Sequence, residues 1–320
     1  MNGRKANWAF LVTTVFYIAL VYIIALFCPA LGNNLVLSNL LCELVALLPI
    51  FLFAVVSGEK TVSFLGFHRM KISSVLMVVL FTFLSLPAMS LFNLISQLWV
   101  ENEVAAMMES QRAIPFGLLY LSVGIIAPVF EEIACRGFYY QSYKKAGGAF
   151  KAMLLSALIF ALIHMNFNQA AYAFIVGILA VLLVEATGSL WSSVLYHGVI
   201  NGSQAVLLYG LLKENPNAYS EQAAVITNDF LLYAIGVYVV LGAMGLTLCW
   251  AVLVWLSNNE GRKGALKNQL SLSGEQPQKR DKVITLPLIA ACLLCLGVMT
   301  GAVFLFVMKI AVHFGFTISV

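Results

Sequence analysis

Charged residues are scarce in this chain. Lys, Arg, Asp and Glu make up 10% of its 320 residues, whereas hydrophobic residues make up 62%. Because ordinary soluble domains are about 25% charged, this composition excludes a typical soluble protein. The net charge of +4 is small, and the basic residues fall between apolar runs rather than on one patch. We therefore expect a multi-pass membrane protein whose surroundings are the lipid bilayer, with no nucleic-acid partner.

Signals of secretion and of disulfide bonding are also missing. The first apolar run, 6–28, is too long for the core of a signal peptide and lacks a small-residue cleavage site, which predicts a retained span. The six cysteines lie in or beside apolar runs, and their spacing indicates no disulfide framework. We interpret Cys292 and Cys295 as small hydrophobic residues of a helix rather than as a redox pair.

Long apolar runs dominate what is present. They predict eight or nine membrane-spanning helices, because about 20 residues are needed to cross the hydrocarbon layer. Strands are excluded, since lipid would leave the backbone of an open sheet without hydrogen bonds. The predicted fold is therefore all-α, a polytopic transmembrane helical bundle. Its apolar segments are 6–28, 35–56, 75–99, 115–143, 149–165, 170–186, 189–211, 230–256 and 283–312.

Basic residues are concentrated in alternate loops. Loops 57–74, 144–151 and 257–282 are rich in Lys and Arg, whereas loops 100–114 and 212–229 are mainly acidic. The positive-inside rule then predicts a cytoplasmic N-terminus. It also supports nine spans, which place the C-terminus on the outer side of the membrane. The polar segment 257–282 is expected to be a flexible cytoplasmic linker.

A few polar side chains interrupt the apolar spans. Charged groups at membrane depth cost several kcal/mol, so each one is a functional candidate. Glu185 lies near the inner end of its span and is expected to reach the interface. Glu43 is in mid-span and is expected to hydrogen-bond to another helix, or else to line a site. The full set is Glu43, Glu131, Glu132, Arg136, His164, Glu185, His197 and Asn201.

The sequence EEIACR places three of these charges on one helix. Glu132 and Arg136 are four residues apart, so they share a face and are expected to form an ion pair. Glu131 is rotated from Glu132 by about 100° and has no local partner, which makes it a candidate general base. Pro128 is expected to kink the helix just before it. The alternative is that all three charges form a packing network.

The other polar side chains come in FALIH, which ends at His164, and in HGVING, which places His197 and Asn201 four residues apart. By the rise of about 1.5 Å per residue, Glu131, His164 and Asn201 each lie roughly 20 Å from the inner end of their helices. His197 lies roughly 14 Å from that end. Three helices thus bring a carboxylate, two imidazoles and an amide to a similar depth.

These groups suit the hydrolysis of an amide bond. Glu131, helped by His164, would activate a water molecule, whereas His197 and Asn201 would donate hydrogen bonds to the developing oxyanion. Glu132 and Arg136 would support the helix and orient Glu131. The sequence does not indicate which residues bind the substrate.

The three motifs, Glu-Glu-x-x-x-Arg, Phe-x-x-x-His and His-x-x-x-Asn, occur in this order on successive helices. Together with the intervening sequence, including TGSLW at 187–191, they resemble the CAAX-processing and bacteriocin-processing intramembrane endopeptidases, the CPBP or Abi family. The resemblance covers about residues 115–205. It implies a helical catalytic core open to the cytoplasmic side and a membrane-embedded or lipidated peptide or protein substrate. No motif position departs from the pattern, so we expect a competent enzyme.

The resemblance predicts three parts of the chain. Residues 1–114 hold spans one to three with the basic loop 57–74, residues 115–211 form the catalytic core, and residues 212–320 hold the last spans with the linker 257–282. Two other functions are kept as alternatives. Buried Glu, His and Arg also form proton relays in transporters, although no internal repeat supports this. A non-enzymatic immunity or scaffold protein is the third candidate.

A zinc site is the alternative to a metal-free mechanism. Glu131, His164 and His197 match the two-His, one-Glu ligand count of catalytic zinc sites. The chain lacks the H-E-x-x-H helix that usually provides such ligands, and His197 cannot both bind a metal and donate to an oxyanion. We therefore favour a glutamic mechanism without a cofactor.

Overall fold

The computed structural model describes residues 3–28, 31, 34–56, 58, 64–110, 114–271 and 282–313. Within these ranges the regular structure is helical and contains no strand. This confirms the predicted all-α bundle. The helices are α1 (Gly3–Phe27), α2 (Leu35–Val56), α3 (Ile72–Ser96), α4 (Glu103–Ser110), α5 (Phe116–Gly147), α6 (Ala149–Ile163), α7 (Phe167–Thr187), α8 (Leu190–Glu214), α9 (Ala218–Val225), α10 (Asn228–Asn259), α11 (Ala265–Leu270), α12 (Leu286–Met299) and α13 (Ala302–His313).

Six of these helices, α1, α2, α3, α5, α7 and α10, are long and apolar enough to cross a membrane. A seventh span is formed if α12 and α13, which are bent by 83° at their junction, count as one. All nine predicted apolar segments are helical in the structure. However, α6 has only 15 residues, and α8 is not among the candidate spans, because its polar side chains lower its hydropathy. By length and composition, the described residues thus contain six or seven candidate spans, and the predicted count of eight or nine is not confirmed.

Short polar signals separate the central helices. Asn166 accepts a hydrogen bond from Gln169 N at 2.7 Å and so caps the start of α7. Gly188, with φ 72°, ends α7 in the left-handed conformation that glycine adopts without strain. Ser189 then caps α8 by accepting from Trp191 N at 3.2 Å. These caps set where α7 begins and ends and where α8 begins.

One continuous apolar core joins the three predicted parts of the chain. It contains buried side chains of α1, α2, α3, α5, α6, α7, α8, α10, α11 and α12. Helix α3 packs along α10, α6 packs along α7, and α1 packs between α2 and α12. Helix α8 contacts α3, α5 and α7. The first and last spans therefore surround the segment that carries the polar motifs.

Residues 260–271, the first part of the segment that composition predicted to be a flexible linker, are held against the bundle. In α11, Leu266 and Gln269 are buried, and Gln269 Nε2 donates to Ala149 O at 2.9 Å. Arg262 Nε donates to Glu185 O at 2.8 Å. Residues 272–281 of the predicted linker, and 57 and 59–63 of loop 57–74, lie outside the described residues.

Glu185 lies two residues before the end of α7 and contacts polar side chains of neighbouring helices. It is only 6% exposed, and its Oε1 accepts hydrogen bonds from Tyr140 Oη at 2.8 Å and from Lys144 Nζ at 2.5 Å. Arg262 Nη2, in the turn before α11, lies 3.7 Å from its Oε2.

The packing of α3 against α10 can be tested at a glycine. A Cβ added at Gly245 would lie 2.2 Å from the Leu84 carbonyl oxygen, which is too close for any side chain. We expect Gly245→Ala to lower the unfolding free energy by about 2 kcal/mol, because overpacking forces helices apart. The measurement is thermal unfolding of the purified protein in detergent.

Gly236 provides the matched control on the same helix, since its added Cβ would meet no atom within 4 Å. Gly236→Ala should leave stability unchanged or raise it by up to about 1 kcal/mol. Equal unfolding temperatures for both variants and the wild type would contradict the observed close contact.

Candidate active site

Glu131 and Glu132 lie on a short α-helical turn inside α5. This turn, Ala127–Glu132, is flanked by two wider π-helical stretches, Leu121–Ile126 and Ile133–Tyr140. Such π-helical turns are rare and often occur at functional sites. Pro128, which lacks a backbone N–H, stands at the start of the α-helical turn. The helix therefore changes its winding here rather than ending.

The ion pair expected between Glu132 and Arg136 is present. Glu132 Oε1 lies 2.7 Å from Arg136 Nη1, and neither side chain has any exposed surface. The same carboxylate oxygen lies 3.1 Å from His197 Nδ1 on α8. Glu132 therefore connects the first motif to the third, a contact that spacing along the sequence did not predict.

Phe160 is the packing centre of the site. The guanidinium carbon of Arg136 lies 4.2 Å from the centre of its ring, a distance at which cations are attracted to aromatic faces. The edges of the same ring meet the imidazoles of His164 and His197, with centroid distances of 4.9 and 5.3 Å. The phenylalanine of the second motif thus fixes the positions of both histidines and of the buried arginine.

His164 directly follows the last turn of α6. Its Nδ1 lies 2.7 Å from the Phe160 carbonyl oxygen, so this nitrogen carries the proton and Nε2 points into the bundle. The next residue, Met165, has φ 52°, the only positive φ of a non-glycine residue in the described part of the chain. Such a conformation is uncommon for non-glycine residues and is concentrated at functional sites. This turn allows α7 to reverse direction immediately after the imidazole.

Glu131 faces both imidazoles. Its Oε2 lies 4.0 Å from His164 Nε2 and 3.9 Å from His197 Nε2. This oxygen is buried and has no hydrogen-bond partner among the described residues. Polar atoms separated by more than about 3.5 Å are often bridged by water, and atoms about 4 Å apart can both hydrogen-bond to one water molecule. The three motifs therefore surround a position suited to a single water molecule.

Asn201 lies one turn beyond His197 on α8. Its Nδ2 donates to the Val123 carbonyl oxygen, in the first π-helical stretch, at 3.1 Å. An amide has two N–H donors, so one remains for another group. The GxxxG face formed by Gly198 and Gly202 packs on Gly124, where an added Cβ would lie 3.3 Å from Gly202 Cα. This close packing brings Asn201 next to α5.

Residues of all three motifs line one cavity of about 390 Å³. This volume lies within the usual range of ligand sites, about 300–1,000 Å³. Its walls come from α1, α2 and α4 to α8, so the first two spans contribute to it together with the segment of the motifs. Its polar lining includes Glu131, His164, His197, Asn201, Glu43, Asn39, Tyr17, Gln169 and Gln204.

Glu43 is the member of this lining that motif reasoning did not assign to the site. Its side chain lines the same cavity as that of Glu131. This residue belongs to α2, far from Glu131 in the sequence. The signal for it in the sequence was a charged residue in mid-span, but this signal does not show which helix or site the side chain faces. The structure brings Glu131, Glu132, Arg136, His164, His197 and Asn201 together and leaves Glu185 in a separate cluster.

The alternative zinc site can be compared with this geometry. Zinc–ligand bonds of about 2.0–2.1 Å place the ligands of a tetrahedral site about 3.3 Å from one another. The distances from Glu131 to the two imidazoles, 4.0 and 3.9 Å, are longer. Among the described residues, no group of three His, Cys, Asp or Glu side chains is arranged to hold a metal. The donor types suit zinc, but their spacing does not.

Comparison with known proteins identifies the central segment. Residues 113–203 match the family model described as Type II CAAX prenyl endopeptidase Rce1-like. The matched segment runs to the middle of α8 and contains all three motifs. This match confirms the resemblance to the CAAX protease family. No curated protein and no solved structure shows significant similarity to the chain.

The buried ion pair gives a stability prediction. Glu132→Gln would leave Arg136 charged and without a carboxylate partner, so it should lower the unfolding free energy by about 3–5 kcal/mol. Glu131→Gln, which leaves the ion pair intact, is the matched control and should unfold near the wild-type temperature. Thermal unfolding in detergent measures both variants. A Glu132→Gln variant as stable as the control would mean that the pair does not hold the bundle together.

Proposed function

We propose that this member of the CAAX prenyl endopeptidase family, identified by residues 113–203, hydrolyses a peptide bond of a membrane-associated or lipidated substrate within the bilayer. The family match indicates a membrane protease and favours it over a transporter or a scaffold protein. The convergence of Glu131 with two imidazoles in one cavity between membrane helices is the observation that carries the proposal.

Glu131 and His164 are proposed to activate the water. The proton on His164 Nδ1 faces the Phe160 carbonyl, so Nε2 offers a lone pair on the side of Glu131. Glu131 Oε2 has no competing hydrogen bond among the described residues. A water molecule between these two acceptors can donate one hydrogen to each, which orients an oxygen lone pair toward a carbonyl carbon. Positioned general bases of this kind contribute about 10²–10⁴-fold in rate.

His197 and Asn201 are proposed to hold the oxyanion. Because Glu132 accepts the proton of His197 Nδ1, Nε2 can donate only when the imidazole carries a second proton. The imidazolium would then lie between two carboxylates, Glu131 and Glu132, which stabilise its charge. Asn201 has one N–H left for the same oxygen. Hydrogen-bond donors held in place in a site without bulk water stabilise the transition state by several kcal/mol.

The proton inventory of this step balances. As the water oxygen bonds to the carbonyl carbon, one water proton passes to Glu131 and the C=O π electrons move to the oxygen. The same proton then passes to the amide nitrogen as the C–N bond breaks. The site also balances in charge, because Glu131 and Glu132 are matched by Arg136 and the His197 imidazolium. Such neutrality matters at membrane depth, where an unmatched charge is costly.

The substrate is proposed to enter from the membrane. Apolar side chains, among them Ile50, Met107, Met108, Ile163 and Leu208, form much of the cavity wall. They suit an apolar or lipid-modified segment of a peptide. We keep the predicted orientation with a cytoplasmic N-terminus, which is supported by the basic loops.

Removal of the base should separate activity from folding. Glu131→Gln and His164→Ala should each reduce cleavage by at least about 10²-fold while leaving a folded protein. Because the substrate is unidentified, the measurement is a comparison of new peptide termini in membranes of cells that express wild type or Glu131→Gln. Glu214→Gln, at an exposed position, is the control and should match the wild type. Identical termini with Glu131→Gln and wild type would reject this base.

A metal-free mechanism makes a separate prediction. Cleavage by purified protein should continue after treatment with a strong zinc chelator, and metal analysis should find less than one zinc per chain. Loss of activity on chelation, with recovery on adding zinc, would favour the zinc site of Glu131, His164 and His197.

A further inference from the structure

Basic and acidic residues collect at opposite ends of the bundle. At the basic end, Lys144 Nζ and Arg262 Nε both donate to Glu185, one to its carboxylate and the other to its carbonyl oxygen. At the acidic end, Ser220 Oγ of α9 donates to Glu109 Oε1 of α4 at 2.9 Å. Helix α10 runs from one end to the other. The positive-inside rule predicts that the basic end is cytoplasmic and the acidic end lies on the outer side of the membrane.

Toward the basic end, buried side chains line the cavity of the candidate active site. Thr13 of α1, Ile50 of α2, and Ala134 and Tyr139 of α5 belong to this part of the lining. Each of the four is at most 5% exposed. On α5, Ala134 and Tyr139 follow Glu131 in the direction of the basic end. Access to Glu131 from the predicted cytoplasmic side would therefore have to pass through a packed layer.

Toward the acidic end, the lining residues of the same helices are partly exposed. Tyr17 of α1, Asn39 of α2, Val123 of α5 and Gln204 of α8 form this part of the wall, together with Val104 of α4. We call these five residues the mouth of the cavity. Because exposure of the lining increases in the same direction along several helices, the described part of the cavity opens at the acidic end, beside α4.

A second cavity, of about 240 Å³, adjoins the mouth. It lies between α3, α4, α7 and α8, and its polar lining includes Ser90, Asn93 and Asn102. Amide side chains carry both hydrogen-bond donors and acceptors, as the backbone of a bound peptide requires. The two cavities share four lining residues, Val104, Tyr172, Gln204 and Leu208. Together they suit a peptide that extends from the acidic end toward Glu131.

We propose that the substrate reaches Glu131 from the outer side of the membrane, through the mouth beside α4. Its chemical class is an exported peptide segment that is held at the outer half of the bilayer. This inference rests on the proposed function and on the predicted orientation. The family resemblance implied a core open to the cytoplasmic side, whereas the exposure of the cavity lining favours the opposite side. The second cavity is the subsite for the part of the peptide that enters last.

The side of entry can be tested without a substrate at a native cysteine. Cys42 lines the cavity, whereas Cys135, Cys249 and Cys295 are buried. The background for the test is the full chain with Cys28 and Cys292 changed to alanine. A charged thiol reagent that does not cross membranes should label Cys42 in right-side-out vesicles and leave it unlabelled in inside-out vesicles. Cys42→Ala in the same background gives the baseline.

Two exposed positions report the orientation in the same experiment. Glu214→Cys and Lys263→Cys lie near opposite ends of the bundle, and each is placed in the Cys42→Ala background. The first should be labelled only in right-side-out vesicles and the second only in inside-out vesicles. Labelling of Cys42 in inside-out vesicles, or in neither kind, would overturn the proposed entry. A reversed pattern at the two control positions would overturn it as well.

A bulky side chain in the mouth should slow the labelling of Cys42. We expect Gln204→Trp to lower the labelling rate at least about tenfold, because a close-fitting cavity does not accommodate so much added volume. Val206→Trp is the matched control on the same helix, since Val206 is exposed and lines neither of these cavities. Thermal unfolding in detergent checks that both variants are folded. Equal labelling rates in the two variants would show that Gln204 does not lie on the route.

New peptide termini give the side on which the substrate is cut. Termini that depend on Glu131 should map to segments outside the cytoplasm in proteins or peptides held in the membrane. Termini in cytoplasmic tails would refute entry from the outer side. Full activity of Glu131→Gln would instead reject the proposed function, and the labelling of Cys42 would still report the side on which the cavity opens.

Discussion

The ion pair between Glu132 and Arg136 is the interaction on which the candidate site depends, since both side chains are completely buried in an apolar bundle. Breaking such a pair leaves an uncompensated charge, which neither lipid nor the core can solvate. Residues of the surrounding helices keep Glu132 and Arg136 in contact. Phe160 presents its ring face to the guanidinium. Gly177 on α7 leaves the space, since a Cβ there would lie 2.7 Å from Ala157 and 3.3 Å from Arg136 Nη2.

The same ion pair also positions the reactive side chains. Glu132 fixes the tautomer of His197 through Nδ1, and Phe160 contacts both imidazoles. Contacts within and between helices thus link the residues of all three motifs, although the site lies between spans rather than on a sheet. Glu43 of α2 lines the same cavity, so the first spans contribute to the walls of the site.

The apolar segments and their helical structure could be predicted from the sequence composition. This is because a segment within lipid must satisfy its backbone hydrogen bonds internally. The count of spans did not follow. Helix α6 is too short to cross alone, and α12 and α13 are sharply bent, features that depend on packing. The polar region after α10 was interpreted as a linker, but burial of Leu266 and Gln269 against the bundle orders its first part. Composition cannot distinguish a free polar segment from one that a neighbouring charge cluster holds.

The sequence by itself determined the local geometry: a spacing of four residues places Glu132 beside Arg136, Phe160 beside His164, and His197 beside Asn201, because the helical period is fixed by backbone hydrogen bonds. Only the tertiary structure decided which helices meet. It joined Glu132 to His197, placed Phe160 against Arg136 and brought Glu43 and Glu131 to the same cavity. These contacts arise from the fit of small and large residues between helices far apart in the chain, and no periodicity along one helix encodes that fit.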